Sequence, residues 1–463
     1  MHAPGVGKAL VAAVAATVAL LAPGIGAGAQ GRAAPHDAWR QLGYDAGSSF
    51  HNPRAGITPR SAAGLHEAWR FEAPGSVNGA PAVVGGRVYA LSGDGLVALD
   101  ADRGDEVWRR EDVTGTSSPT LVGGTLYVST SEPFLYALDP KTGKDRWKVR
   151  TDDQQYATGF SSPVLAGAAV VVGLASVEEV VAKADAQFRG GAAAFDRRSG
   201  DELWRYRTAE APFNGVGVWS TPSYDPDLGL VYLATGNNYT ESAGPSSDSI
   251  VALDATTGEQ RWIRQVTTGD VFTIGTPISE DSDLGTNPVL FDAEIDGTTR
   301  DLLGAGQKSG MFWVLDRETG DVVWQRQVSG GSSLVGGVFN NGAYDGQRIV
   351  VAGNNGPSPK RPEGAPDAVL MALDPATGEI EWQRDLPEWV WAPITLGRGA
   401  GFVATGTDLQ AFDLERGREL ATFPTEGTIT SAPVAVGGRV YFGSGLTYLG
   451  GPKPGKTLYA LEP

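Results

Sequence analysis

The 463-residue sequence predicts an all-β fold: an eight-bladed β-propeller of four-stranded blades, its ring closed by pairing N- and C-terminal strands. Three observations lead there. A short unit recurs along the chain: two or three apolar residues, an Asp, polar residues, a Gly, and a Trp eight positions after the Asp. The chain has 64 Gly, 29 Pro and 12 Trp, which suits frequent turns and rings packed between strands rather than helices. One copy of the unit is split between the two ends of the sequence.

In chain order, the first element is a leader. Lys8 precedes an apolar run from Ala9 to Ala22, then Pro23, Gly24 and an Ala27-Gly28-Ala29 triplet. This pattern predicts a signal peptide over 1–29, cleaved after Ala29, and a single propeller domain over 30–463 that is secreted or periplasmic. The run is shorter than the roughly 20 apolar residues of a membrane span, and no later segment is long and apolar enough to be one. The absence of cysteine removes disulfides, thiolate metal sites and a lipoprotein anchor from the expectations.

The repeats follow as VALDADRGDEVW (Asp100 to Trp108), YALDPKTGKDRW (Asp139 to Trp147), AAFDRRSGDELW (Asp196 to Trp204) and VALDATTGEQRW (Asp254 to Trp262). WVLDRETGDVVW (Asp316 to Trp324) and MALDPATGEIEW (Asp374 to Trp382) continue the series. A seventh copy keeps Asp413 and Gly417 but has Ala421 in place of Trp, and the eighth is YALEP, ending near Glu462, with its other half in LHEAWRFE around Trp69. Each unit reads as a hairpin: an alternating strand, a turn in which Asp accepts backbone N–H bonds and Gly supplies positive φ, then a strand whose Trp fills the gap between blades. Segments such as PAVVGGRVYALSGDG and PVAVGGRVYFGSGLT supply the other two strands of a blade. Closing the ring with the split copy, so that Trp69 and Tyr459 share a blade, removes two exposed edges.

Asp100 and Asp139 are 39 residues apart, but the next four intervals are 57, 58, 62 and 58, so the middle blades carry long loops of the kind that build a site on one face. The histidines, His2, His36, His51 and His66, all precede the first complete repeat, which argues against a Ser-His-Asp triad, a histidine base or a His-ligated metal in those loops. No CxxCH is present for covalent haem. A net charge of -17 without a basic stripe argues against nucleic acid as a partner. Oxygen-ligated metal chemistry, a bound organic cofactor, carboxylate acid–base work or a non-catalytic role remain.

Over nearly all of the chain beyond the leader, from WRQLGYDAGSSFHNP (Trp39 to Pro53) onward, the sequence resembles the pyrroloquinoline quinone (PQQ) dependent alcohol dehydrogenases, and most closely their polyvinyl alcohol dehydrogenase branch. In GVGVWSTPSYDPDLGLVYLATGNNYT the resemblance implies that Trp219 is the floor under the quinone and Asn237, 18 residues on, a calcium ligand. In VGLASVEEVVAKADAQFRGGAAAFD it implies a metal-ligating Glu178, with Glu179 as the alternative, and in GAGQKSGMFWVLDRETG a Lys308 that hydrogen-bonds the quinone. The family's catalytic Asp follows a TPxDxW stretch; here TTGDVFTIG has Thr273 at that point, and SEDSDLGTNPVLFD supplies Asp281 and Asp283 instead. Asp281 is the first candidate for base and metal ligand, Asp283 the second and Asp270 the third. The expected ion is Ca2+; two carboxylates on one ion would instead suit a lanthanide. The family's vicinal Cys pair over the quinone is missing, leaving Trp389 and Trp391 in EWVWAPITL either to close the site or to pack between blades. The implied function is oxidation of an alcohol, polymeric or secondary, with electrons passed to a separate acceptor such as a cytochrome c. The competing expectation is a scaffold or binding propeller, because a non-catalytic outer-membrane assembly lipoprotein shares these repeats.

Overall fold

The structure, a computed structural model, describes residues 38–181, 186–240, 243–270, 272–273, 280–331, 336–356, 361, 363–445 and 453–463. The expected leader and its cleavage point, with His2 and His36, lie outside the described residues. Eight antiparallel sheets are present among the described residues. Blade 1 is typical: Ala82–Val84, Arg87–Ser92, Gly95–Asp100 and Glu106–Arg110 pair in sequence order. Blade 3 departs from four strands, because Ala157–Thr158 adds to the far end of its long second strand, Ala169–Ser176. Blade 8 takes Val434–Val436, Arg439–Gly443 and Thr457–Glu462 from late in the chain and its outer strand, His66–Glu72, from early in it. Trp69 pairs with Ala460 and Arg70 with Tyr459, so the expected closure of the ring is found. The first strand of blade 8 also touches that of blade 1.

The recurring unit has a local reason at each position. The Asp carboxylate caps its own turn, as where Asp254 Oδ1 accepts the N–H groups of Thr256 and Thr257, both at 2.9 Å. The Gly of the turn, at positive φ, lies under the Trp of the preceding blade: a Cβ on Gly258 would sit 2.7 Å from Trp204 Cδ2. The same indole donates its N–H to Ala255 O at 3.0 Å, just past the Asp. Trp69, Trp108, Trp147, Trp262, Trp324 and Trp382 repeat this dock on Gly104, Gly143, Gly200, Gly320, Gly378 and Gly417. Ala421 stands where blade 7 would present its Trp to blade 8, and blade 8 has no Asp-Gly turn there, since its third and outer strands come from distant parts of the sequence. Phe423 covers that boundary instead, against Phe442 and Tyr459 at 6.4 and 6.0 Å between centroids.

The opening segment forms a belt across the ring. Val83 and Trp39 exchange backbone hydrogen bonds at blade 1; Arg40, Ala46, Gly47, Ser49, Phe50 and Ala55 then accept N–H bonds from Leu121, Tyr224, Leu290, Tyr344, Leu396 and Gly438, in blades 2, 4, 5, 6, 7 and 8. Trp39 and Phe50 are wholly buried in this hub. Among the described residues, no helix is long and apolar enough to cross a membrane.

Candidate functional site

Because the strands of a blade alternate in direction, the Asp-Gly turns all fall on one rim. The loops between second and third strands, and the links between blades, fall on the other. The residues singled out in the sequence lie in loops of that second rim. Glu178 and Glu179 open a short helix, Glu178–Val181, in the loop of blade 3, and Trp219 lies in the link into blade 4 (Ser223–Asp225, Leu230–Ala234, Ser249–Asp254, Gln260–Gln265). Asn237 is in the loop of blade 4, Asp281 and Asp283 are in the link to blade 5, and Lys308 follows that blade's second strand, Thr298–Gly306.

Trp219 is half-buried and its edges are approached by backbone. A Cβ on Gly236 would lie 3.2 Å from its Nε1, and one on Gly285 2.6 Å from its Cη2, so only glycine fits beside the indole at those two places. The Lys308 ammonium lies 5.5 Å from the ring centroid. It also bonds both carboxylates, Asp281 Oδ2 at 2.8 Å and Asp283 Oδ2 at 2.6 Å. Asp283 is held at its other oxygen by the backbone N–H of Asn237 at 2.5 Å, and Lys308 N–H donates to Asp283 O at 3.0 Å, so this residue ties blade 4 to blade 5. Asp281 is fully buried, and among the described residues its Oδ1 accepts a long bond, 3.3 Å, from the N–H of Asp283.

Together with Tyr239 and nearby backbone, Trp219, Phe160, Val177, Val180, Glu179, Asn237 and Asp283 line a cavity of about 300 Å³. Its walls are mostly apolar and its polar groups converge at one end, the common character of a small-molecule site. A larger charged hollow of about 670 Å³, near His51, Arg348 and Arg416, lies on the opposite rim among turns of blades 6 and 7, away from all of these residues.

The structure separates the two glutamates. Glu178 turns to its own loop, where Oε2 accepts the N–H groups of Gln187 at 3.0 Å and Phe188 at 2.6 Å. Glu179 is the one that borders the cavity, 3.4 Å from Asn237 Nδ2. That amide nitrogen also donates to Asn238 O and Phe272 O, both at 2.9 Å, which assigns the flip and turns Oδ1 away from these acceptors. Asp270, the third candidate for base, accepts the N–H groups of Phe272 at 2.7 Å and Ser282 at 2.8 Å and so organises the link that carries Asp281. Trp389 and Trp391 pack against each other at 5.6 Å, outside the cavity lining, and neither rests on a turn glycine as the inter-blade indoles do.

Sequence reasoning missed Asp248, in GPSSDSIVALD. Its side chain is wholly buried, neither carboxylate oxygen has a hydrogen-bond partner among the described residues, and its φ is +53°. Burial, then the neighbouring Asp270 and Asp283, hold its proton affinity well above the ordinary carboxylate range. Burial raises Asp281 as well, against the pull of Lys308. Burial works to neutralise Lys308, but Asp281 and Asp283 outweigh it and keep the ammonium charged. Of the four buried aspartates here, Asp281 and Asp283 bond Lys308, and among the described residues they do not form a cluster of three carboxylates placed to hold a metal ion. The only signal in the sequence was an Asp at the mouth of a strand, which by itself reads as a turn.

Two family descriptions match the chain: the glucose/ethanol/alcohol dehydrogenase β-propeller domain, of PQQ type, over residues 149–329, and the outer membrane protein assembly factor BamB, built of the same repeat, over 61–182 and 307–462. The chain belongs to the PQQ-repeat propeller family. Polyvinylalcohol dehydrogenase of a Pseudomonas species is 35% identical over 353 residues, covering 68% of this chain and 55% of that protein. The enzyme of the same name from Sphingopyxis sp. (strain 113P3) is 32% identical, with 68% and 54% covered. The chain therefore spans about half the length of these relatives. Quinohemoprotein alcohol dehydrogenase from Comamonas testosteroni shares the fold, with a TM-score of 0.78 over 92% of this chain and 81% of that one at 20% identity. The likeness read in the sequence, to the PQQ-dependent alcohol dehydrogenases and their polyvinyl alcohol branch, is borne out by these matches to a PQQ-repeat propeller.

Proposed function

We propose that this PQQ-repeat propeller oxidises alcohols with bound PQQ and Ca2+. The observation that carries the reading is a cavity lined by a glycine-flanked indole, Asn237 and Asp283, behind which Lys308 bonds both Asp283 and the buried Asp281. The residue types suit these groups, although among the described residues no three carboxylates or imidazoles stand together as a metal cage. Trp219 offers a flat apolar floor that the glycines at 236 and 285 leave uncovered. The Asn237 amide oxygen and the Asp281 carboxylate are hard oxygen donors of the kind calcium takes. Glu179 borders the cavity while Glu178 is bound by backbone amides, so of the two Glu179 is the better candidate ligand, although it meets the amide nitrogen of Asn237 and not its oxygen.

When bound, PQQ supplies a two-electron acceptor and calcium a Lewis acid. The chain's own part is to place an alcohol and accept its hydroxyl proton. Asp281 suits that proton: burial raises its affinity, while both oxygens of Asp283 are engaged in joining Asn237 to Lys308. Lys308, 5.5 Å from the indole centroid, would be the residue to hydrogen-bond a quinone carbonyl. The electrons would pass on to an acceptor such as a cytochrome c. The leader over 1–29 would export the chain, and N-terminal sequencing of secreted protein checks cleavage after Ala29.

The second reading, a scaffold propeller, is favoured by the match to the BamB description. One experiment separates them. Purified protein is incubated with PQQ and CaCl2, desalted, and assayed for quinone absorbance and dye-linked oxidation of a secondary alcohol. Retained quinone with turnover supports the dehydrogenase; loss of all quinone on desalting supports the scaffold.

A further inference from the structure

Blade 3 sets what stands over the floor of the cavity. Val218 N–H donates to Leu174 O at 3.0 Å, and a Cβ on Gly217 would lie 3.7 Å from Ala175 Cα. The chain entering Trp219 therefore runs beside the end of that blade's second strand, Ala169–Ser176. Gly236 and Gly285 meet the indole at its edge and leave ring face for the cavity. Past this level the strand continues toward the rim, and at about 3.3 Å per residue Val177 stands roughly 10 Å beyond Leu174. There the chain folds into the short helix Glu178–Val181, and Val177 and Val180 both border the cavity.

This overhang is fixed by bonds of the protein's own. Ala157–Thr158, the added strand of blade 3, pairs with Ala175 and Ser176, and Tyr156, at φ +64°, turns its carbonyl to Val177 N–H at 3.0 Å. Glu178 Oε2 holds the helix from the other side through the N–H groups of Gln187 and Phe188. Val180, so anchored, is nevertheless 55% exposed. Among the described residues six large hydrophobic side chains are exposed, and four of them, Val107, Leu203, Val322 and Ile380, lie on outer strands of blades. The other two, Tyr156 and Val180, are on this overhang. An apolar side chain held out beside an apolar cavity gains by a ligand's arrival.

We propose that Val177 and Val180 form an aliphatic cover over the face of the bound quinone turned away from Trp219, so that the ring lies between one indole and two valines. The inference rests on the PQQ reading and adds the residues that hold the cofactor in and keep water from that face. A flat ring with a contact of 3.5–4.0 Å on each side needs a gap of about 7–8 Å. The step of roughly 10 Å along the strand, less the depth of a valine side chain, is of that size. Branched side chains are stiff at χ1, make dispersion contacts with a ring face and ask for no hydrogen bond from it. The chain has no cysteine to serve instead, and Trp389 and Trp391 stand outside the lining.

The test loads the parent, Val180→Ala, Val177→Ala and Val180→Ile with PQQ and CaCl2 and follows loss of quinone absorbance from the protein after desalting. Each Ala variant should release quinone on the order of tenfold faster than the parent, and Val180→Ile should hold it at least as long. Without PQQ the thermal midpoint of Val180→Ala should match the parent's, because this side chain is exposed, while the rise in midpoint that PQQ gives should shrink. Release from both Ala variants at the parent's rate, or from Val180→Ile as fast as from Val180→Ala, would overturn the cover and leave the PQQ reading intact. A parent that retains no quinone sinks the PQQ reading and the cover with it. A parent that retains quinone and oxidises no alcohol, while the Ala variants release faster, sinks the dehydrogenase reading and leaves the cover standing.

Discussion

Asp281 and Asp283 are two residues apart and share one lysine, yet they are spent differently. Asp283 is used up at both oxygens, one on the Asn237 backbone and one on Lys308, whereas among the described residues Oδ1 of Asp281 has only a long bond from the N–H of Asp283. Asp281→Ala should therefore abolish dye-linked turnover with Ca2+ present, and Asp283→Ala should retain much of it; the reverse ranking would move the base to Asp283. Trp219→Ala should weaken PQQ retention after desalting while circular dichroism stays that of the parent, since this indole, unlike the inter-blade ones, docks on no turn glycine of a neighbouring blade. Unchanged retention would reduce Trp219 to packing. Much of this was legible in the sequence, because Trp219, Asn237, Asp283 and Lys308 sit in stretches long enough to resemble a family. The choice between Glu178 and Glu179 was not: adjacent residues in a helical turn point apart, and only the fold of residues 186–188 shows which one is taken by backbone amides. Asp248 was equally hidden, since its neighbours come from the link between blades 4 and 5.

At the scale of the hairpin the sequence is nearly self-explanatory, because Asp, Gly and Trp each do one job within a few residues. Asp caps the turn, Gly makes it and leaves room for an indole, and Trp crosses to the next blade. Gly258→Ala tests the middle job. Its φ is +73° and the new Cβ would meet Trp204 at 2.7 Å, so strain and clash together should cost about 1–3 kcal/mol, read as a lower midpoint in urea. A midpoint equal to the parent's would mean that the indole shifts freely, contrary to its bond to Ala255. The additional strand in blade 3 escaped the repeat pattern because it lies in the link before the blade, outside the repeating unit, and pairs with the far end of that blade's long second strand.

Across the whole molecule the capped turns add up to an acid-labile ring. The carboxylates of Asp100, Asp139 and Asp316 titrate low because backbone N–H groups and arginines overcome partial burial, and that of Asp196 because Ser199 and Arg198 donate to it. Asp254, bonded first by Arg261, is pulled down to about 2. A depressed folded value stabilises the fold above the unfolded value of about 3.9, and that contribution is lost as pH falls through the folded values. Thermal midpoints should thus hold down to about pH 4 and drop steeply between roughly pH 4 and 2; a flat profile there would show that the turns contribute nothing through their charge. The closure of blade 8 carries a different consequence, one of time. Residues 66–72 are synthesised long before residues 457–462, their strand partners, and at roughly 5–20 residues per second the wait is on the order of 20–80 s. Throughout it an amphipathic strand and the belt behind it have no finished ring to join, so the chain's exposure to wrong partners is governed by how long its last blade takes to arrive.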